Sequence, residues 1–65
     1  MKGTIVEYIS GREFGYLKDE EDDEYCFYLK DIQFKKSRMR IGDKVHFDLI
    51  KGRGIQAVNI RRDQN

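Results

Sequence analysis

Most hydrophobic residues in this chain fall in five short stretches, each cut off by glycine or by charge. The first, Thr4-Ile5-Val6-Glu7-Tyr8-Ile9, is rich in β-branched and aromatic residues, and at this length it predicts a strand over residues 3–10 rather than a helix. Ser10-Gly11 is a turn signal, which makes the residues from Arg12 to about Asp19 the second arm of a hairpin. Tyr25-Cys26-Phe27-Tyr28-Leu29 predicts a third strand with aromatic side chains on both faces. Period two is clearest in the fourth stretch, where Val45, Phe47 and Leu49 form a core face alternating with His46, Asp48 and Ile50. After the turn at Gly52-Arg53-Gly54, residues 55–60 predict a fifth strand with Val58 and Ile60 inward.

The connections differ sharply in charge. Residues 19–24 are all acidic, and runs of this kind make solvated loops. Asp31-Ile32-Gln33 predicts a short turn or helical turn. Residues 34–40 are basic, lack a clean period and read as a long loop that ends in a turn at Ile41-Gly42-Asp43. Residues 61–65 read as a polar, frayed tail. Five short strands, no proline, no helical pattern and no internal repeat predict an all-β chain, a small five-stranded antiparallel barrel of the OB type.

In that architecture the second and third strands carry the binding face. Here the second strand contains Arg12-Glu13-Phe14-Gly15-Tyr16-Leu17-Lys18. Side chains two apart share a face, so Phe14 and Tyr16 stand together, with a basic residue at each end of the segment. Gly15 between them marks a place where a backbone, a ring or a ligand comes close. Exposed rings with cations beside them suit single-stranded nucleic acid, because every base has a π-face and every nucleotide a negative charge. Taken alone, the two rings also fit a buried core strand. Their place in the strand order, beside Tyr28, favours the exposed face.

Composition narrows this further. With 65 residues the chain reads as one domain, and a domain of that size buries only about 60% of its unfolded surface, leaving little room for an enclosed active site. The formal net charge is only +1, so a basic patch must come from arrangement; without the acidic run, six carboxylates remain against 13 Lys and Arg. A single cysteine, Cys26, and a single histidine, His46, make no intramolecular disulfide or metal site, and fit a reducing compartment. No segment has the length of a signal-peptide core or the roughly 20 apolar residues of a membrane span, so the expected location is cytoplasmic, with no membrane partner. His46 and Asp48 share a strand face, but no nucleophile or oxyanion site accompanies them; the expectation is a solvated face and no enzyme activity, metal or cofactor. Cys26 is expected to behave as an inert small hydrophobe.

From Lys2 to about Arg61 the chain resembles a bacterial-type cold-shock domain. The resemblance rests on Lys2-Gly3-Thr4-Ile5, Phe14-Gly15-Tyr16-Leu17, Ile32, the segment Ile41-Gly42-Asp43-Lys44-Val45-His46-Phe47-Asp48, and Gln56-Ala57-Val58-Asn59-Ile60. It implies an OB barrel that binds single-stranded RNA or DNA with weak sequence preference and often melts RNA secondary structure. Carried over by position, the stacking face falls on Tyr8, Phe14, Tyr16 and Tyr28, with Phe34 added by the loop. The carried-over basic contact is Arg12, with Lys30, Lys35, Lys36 and Arg53 as neighbours; Lys18, the basic end of the second-strand segment, is a further expected phosphate contact.

The chain departs from the family at three places. Val6-Glu7-Tyr8 stands where the family has Lys-Trp-Phe, Glu13 replaces a glycine, and Tyr25-Cys26-Phe27-Tyr28-Leu29 replaces Val-Phe-Val-His-Phe. Gly11 is positioned to take over the turn that Glu13 cannot make. Each lost stacking ring removes about 1–3 kcal/mol, so weaker or more selective binding is expected, with strong salt dependence if the basic loop contributes. These departures also leave a second reading open: a protein-interaction or self-associating (homodimer) module on a barrel that has given up most nucleic-acid affinity.

Overall fold

The computed structural model describes residues 1–8 and 11–63. Five strands, β1 (Lys2–Tyr8), β2 (Phe14–Asp19), β3 (Glu24–Tyr28), β4 (Lys44–Lys51) and β5 (Ile55–Arg62), close into a barrel in the order β1-β2-β3-β5-β4. The fold is therefore the small five-stranded OB-type barrel that the strand pattern predicts. Its pairings are antiparallel except for the β3–β5 seam, which closes parallel through Cys26 opposite Gln56 and Phe27 opposite Ala57.

The interior is filled by Ile5, Leu17, Phe27, Val45, Phe47, Ala57 and Ile60, all fully buried, with Ile32 and Met39 closing it. Every strand thus contributes an inward side chain, which is why a chain this short still has one continuous core. Leu49, expected on the core face, packs against this cluster while partly exposed.

Two bulges set which residues point outward. In β1 the register moves from Ile5 opposite Leu17 to Glu7 opposite Tyr16, so Val6 is an extra residue. In β5 the register moves from His46 opposite Arg61 to Asp48 opposite Val58, so Asn59 and Ile60 together face Phe47. Asn59 adopts φ 52°, a left-handed conformation that Asn tolerates better than most residues, and its amide group accepts from Gln33 at 3.1 Å and donates to Asp48 at 3.1 Å. This bulge corrects the expected inward pair of β5: Ala57 and Ile60 are buried, and Val58 is not.

The connections carry further corrections. The expected helical turn is a 3₁₀ turn at Leu29–Asp31, and the basic loop contains a second one at Lys36–Arg38. That loop is anchored, because Met39 is buried in the core, and Arg62 lies 4.9 Å over the Phe34 ring and donates to the carbonyl of Arg38 and to Asp43. The expected frayed tail is in part ordered strand: β5 runs through Arg62, and Asp63 donates its N–H to the Lys44 carbonyl at 3.0 Å. Ser10 of the first turn and Gln64 and Asn65 of the tail lie outside the described residues, as does Ile9. Gly11 does adopt a positive φ of 90°.

Candidate nucleic-acid interface

β2 and β3 pair so that Phe14 faces Tyr28, Tyr16 faces Cys26 and Lys18 faces Glu24. Directly opposed residues share a side of the sheet. Leu17 and Phe27 are buried, so the alternate set, Phe14, Tyr16, Cys26 and Tyr28, lies on the outer surface. Tyr28 is 42% exposed, whereas Phe14 and Tyr16 are partly covered. The rings of Phe14 and Tyr16 meet edge to face, with centroids 6.1 Å apart and planes at 90°. Each ring therefore presents its own surface, and the two do not form one flat platform.

Gly15 is needed for an internal reason. A Cβ there would lie 2.5 Å from the Glu7 carbonyl oxygen and 2.7 Å from Cζ of Phe27. The close neighbours are thus the bulged backbone of β1 and a core ring, and the glycine lets β2 sit tightly over both.

Three shallow depressions border Phe14 or Tyr28. One is bordered by Glu7, Tyr8, Arg12, Phe14 and Tyr16, a second by Glu13, Tyr28, Leu29, Lys30 and Lys36, and a third by Cys26, Tyr28, Ile50, Arg53, Ile55 and Gln56. The fold therefore gathers Arg12, Lys30, Lys36 and Arg53 around the aromatic face. It also adds Ile50, Ile55 and Gln56, which the strand pattern did not single out; Ile50 and Ile55 are each 50% exposed. Two exposed isoleucines flanking the Gly52-Arg53-Gly54 turn were the available signal.

Other expected contributors are placed elsewhere. Tyr8 lies opposite Gly15 and packs against the core, so it borders the face with only part of its ring. Phe34 is not on this face: it packs against the core beneath Arg62 and borders a separate depression with Gln33, His46 and Arg61. Lys18 pairs with Asp22 at 3.2 Å, which directs its ammonium into the acidic turn. Lys35 is exposed before the second 3₁₀ turn and borders none of the three depressions.

The acidic residues have local roles. Asp19 accepts the backbone N–H groups of Glu21 and Asp23 at 2.9 and 3.0 Å, which tightens the β2–β3 turn. The Tyr25 hydroxyl donates to Asp19 at 3.3 Å. Desolvation, reinforced by the negative charges of Asp19 and Asp23, holds the Tyr25 phenol above its ordinary value of 10.0. Partial burial likewise pushes the Cys26 thiol upward, which keeps it in the less reactive protonated form at neutral pH.

His46 and Asp48 do not pair with each other. His46 Nε2 lies 2.8 Å from Asp63, while Asp48 is held by Asn59 and by Arg61 at 3.9 Å. No His, Cys, Asp or Glu cluster suited to a metal ion occurs among the described residues, and none of their helices is long and apolar enough to cross a membrane. No protein-family model matches the chain, and no curated protein matches it in sequence.

Proposed function

We propose that this chain binds single-stranded RNA or DNA on the outer face of β2 and β3, as a divergent relative of the cold-shock domains it resembles. The observation that carries this reading is the opposition of Phe14 and Tyr28, with Tyr16 alongside and Arg12, Lys30, Lys36 and Arg53 around them. Bases stack on the three rings while the cations hold phosphates, a combination that is tolerant of sequence because stacking does not depend on the hydrogen-bonding edge. Such a face favours unpaired strands over duplexes, which is the basis of an RNA-chaperone activity.

Amide-shift mapping with a pyrimidine heptanucleotide at two salt concentrations tests the proposal. Shifts concentrated on β2, β3 and the β4–β5 turn support it. Unmoved signals on β2 and β3 at millimolar ligand overturn it.

One observation favours a second reading. Tyr28, Ile50 and Ile55 are all substantially exposed around one depression, and exposed apolar side chains grouped in this way also suit a protein partner or a second copy of the chain. Sedimentation with and without oligonucleotide separates the two, since a dimer that covers Phe14 and Tyr16 excludes the nucleic acid.

A further inference from the structure

Because Val6 is an extra residue in β1, Glu7 stands directly across from Tyr16 on the outward side of the sheet. It is exposed, and it borders the same depression as Phe14, Tyr16 and Arg12. None of the ion pairs among the described residues involves it. A base stacked on Tyr16 therefore has a carboxylate at its edge.

A carboxylate only accepts hydrogen bonds, through two oxygens side by side. Among the bases, guanine alone presents two adjacent donors on its Watson–Crick edge, N1–H and the N2 amino group. Adenine and cytosine pair one amino donor with a ring-nitrogen acceptor, and uracil and thymine flank a single N–H with two carbonyls. Against those three patterns the carboxylate meets at least one lone pair that repels it. Single-stranded recognition reads this edge, and bidentate, charge-assisted contacts are the strongest available for it.

We infer that Glu7 makes the Tyr16 position a guanine-selective subsite, so that the carboxylate which weakens general phosphate binding confers base preference instead. This inference rests on the proposed nucleic-acid-binding reading and gives it a substrate class: single strands carrying an unpaired guanine.

The test compares three heptanucleotides: all thymine, the same with one central guanine, and the same with central hypoxanthine, which keeps N1–H and lacks the amino group. Binding to the wild-type chain is expected to be about tenfold or more tighter for the guanine strand than for thymine, with hypoxanthine between them. Glu7→Gln should reduce the guanine-to-thymine ratio to within about twofold, because an amide offers only one acceptor. Glu20→Gln, in the remote acidic turn, should leave the ratio unchanged. Equal or tighter binding of the thymine strand by the wild-type chain, or a guanine preference that survives Glu7→Gln, overturns the inference while leaving the nucleic-acid reading standing. Failure of all three strands to bind overturns both.

Discussion

Phe14 and Tyr28 stand directly opposite one another on β2 and β3, with one depression bordered by Phe14 and two by Tyr28. Phe14→Ala and Tyr28→Ala are each expected to weaken single-strand binding by about 1–3 kcal/mol. As the two residues are neighbours, the effect of the double variant should depart from the sum of the single effects by about 0.5 kcal/mol or more. Titration by amide shifts, with thermal melts to verify folding, measures both effects.

Phe34 provides the contrast. It packs against the core beneath Arg62 and away from the aromatic face, so Phe34→Ala should lower stability by about 2 kcal/mol and leave binding nearly intact. A thermal melt and an oligonucleotide titration on one sample read the two quantities together.

Electrostatic contributions should separate along the same lines. Arg53 and Lys30 border the face, whereas Lys18 is paired with Asp22. Arg53→Ala or Lys30→Ala should reduce the slope of log affinity against log salt by about 0.7 for each phosphate that is no longer neutralised. Lys18→Ala should leave that slope unchanged. Titrations over a range of salt concentrations decide it.

Gly15→Ala should destabilise the barrel by about 1–3 kcal/mol, because the new methyl group collides with the Glu7 carbonyl and the Phe27 ring. Asn59→Val should lose about 1–2 kcal/mol through its left-handed φ, while Asn59→Gly recovers the backbone part and not the bridge between Gln33 and Asp48. Thermal or urea unfolding of the three variants checks the ranking.

Tyr25 makes one pH-dependent contribution to the barrel on the alkaline side. Its phenol titrates above the ordinary 10.0 in the folded chain, so folding favours the protonated form. That contribution is fully present below the ordinary phenol range and is lost as pH rises through the raised folded value. Tyr25→Phe should therefore show a shallower fall in melting temperature on the alkaline side than the wild-type chain, as measured by melts across that range.

The sequence by itself determined the strand count, the all-β class and the shared face of Phe14 and Tyr16, because period-two alternation and turn residues are local signals. It also located Gly11 as the residue that takes the positive φ. What only the tertiary structure decided comes from register and closure. A bulge is one residue without a distinctive local signal, yet the one at Val6 sets Glu7 rather than Val6 across from Tyr16, and the one at Asn59 exchanges Val58 for Ala57 in the core. The barrel's closure brings Ile50, Ile55 and Arg53 to Cys26 and Tyr28, residues more than twenty positions away in the chain. Phe34 is held away from the aromatic face, packed against the core beneath Arg62, although Lys36 of the same loop borders that face, because burying the ring and Met39 is favoured over leaving them in solvent.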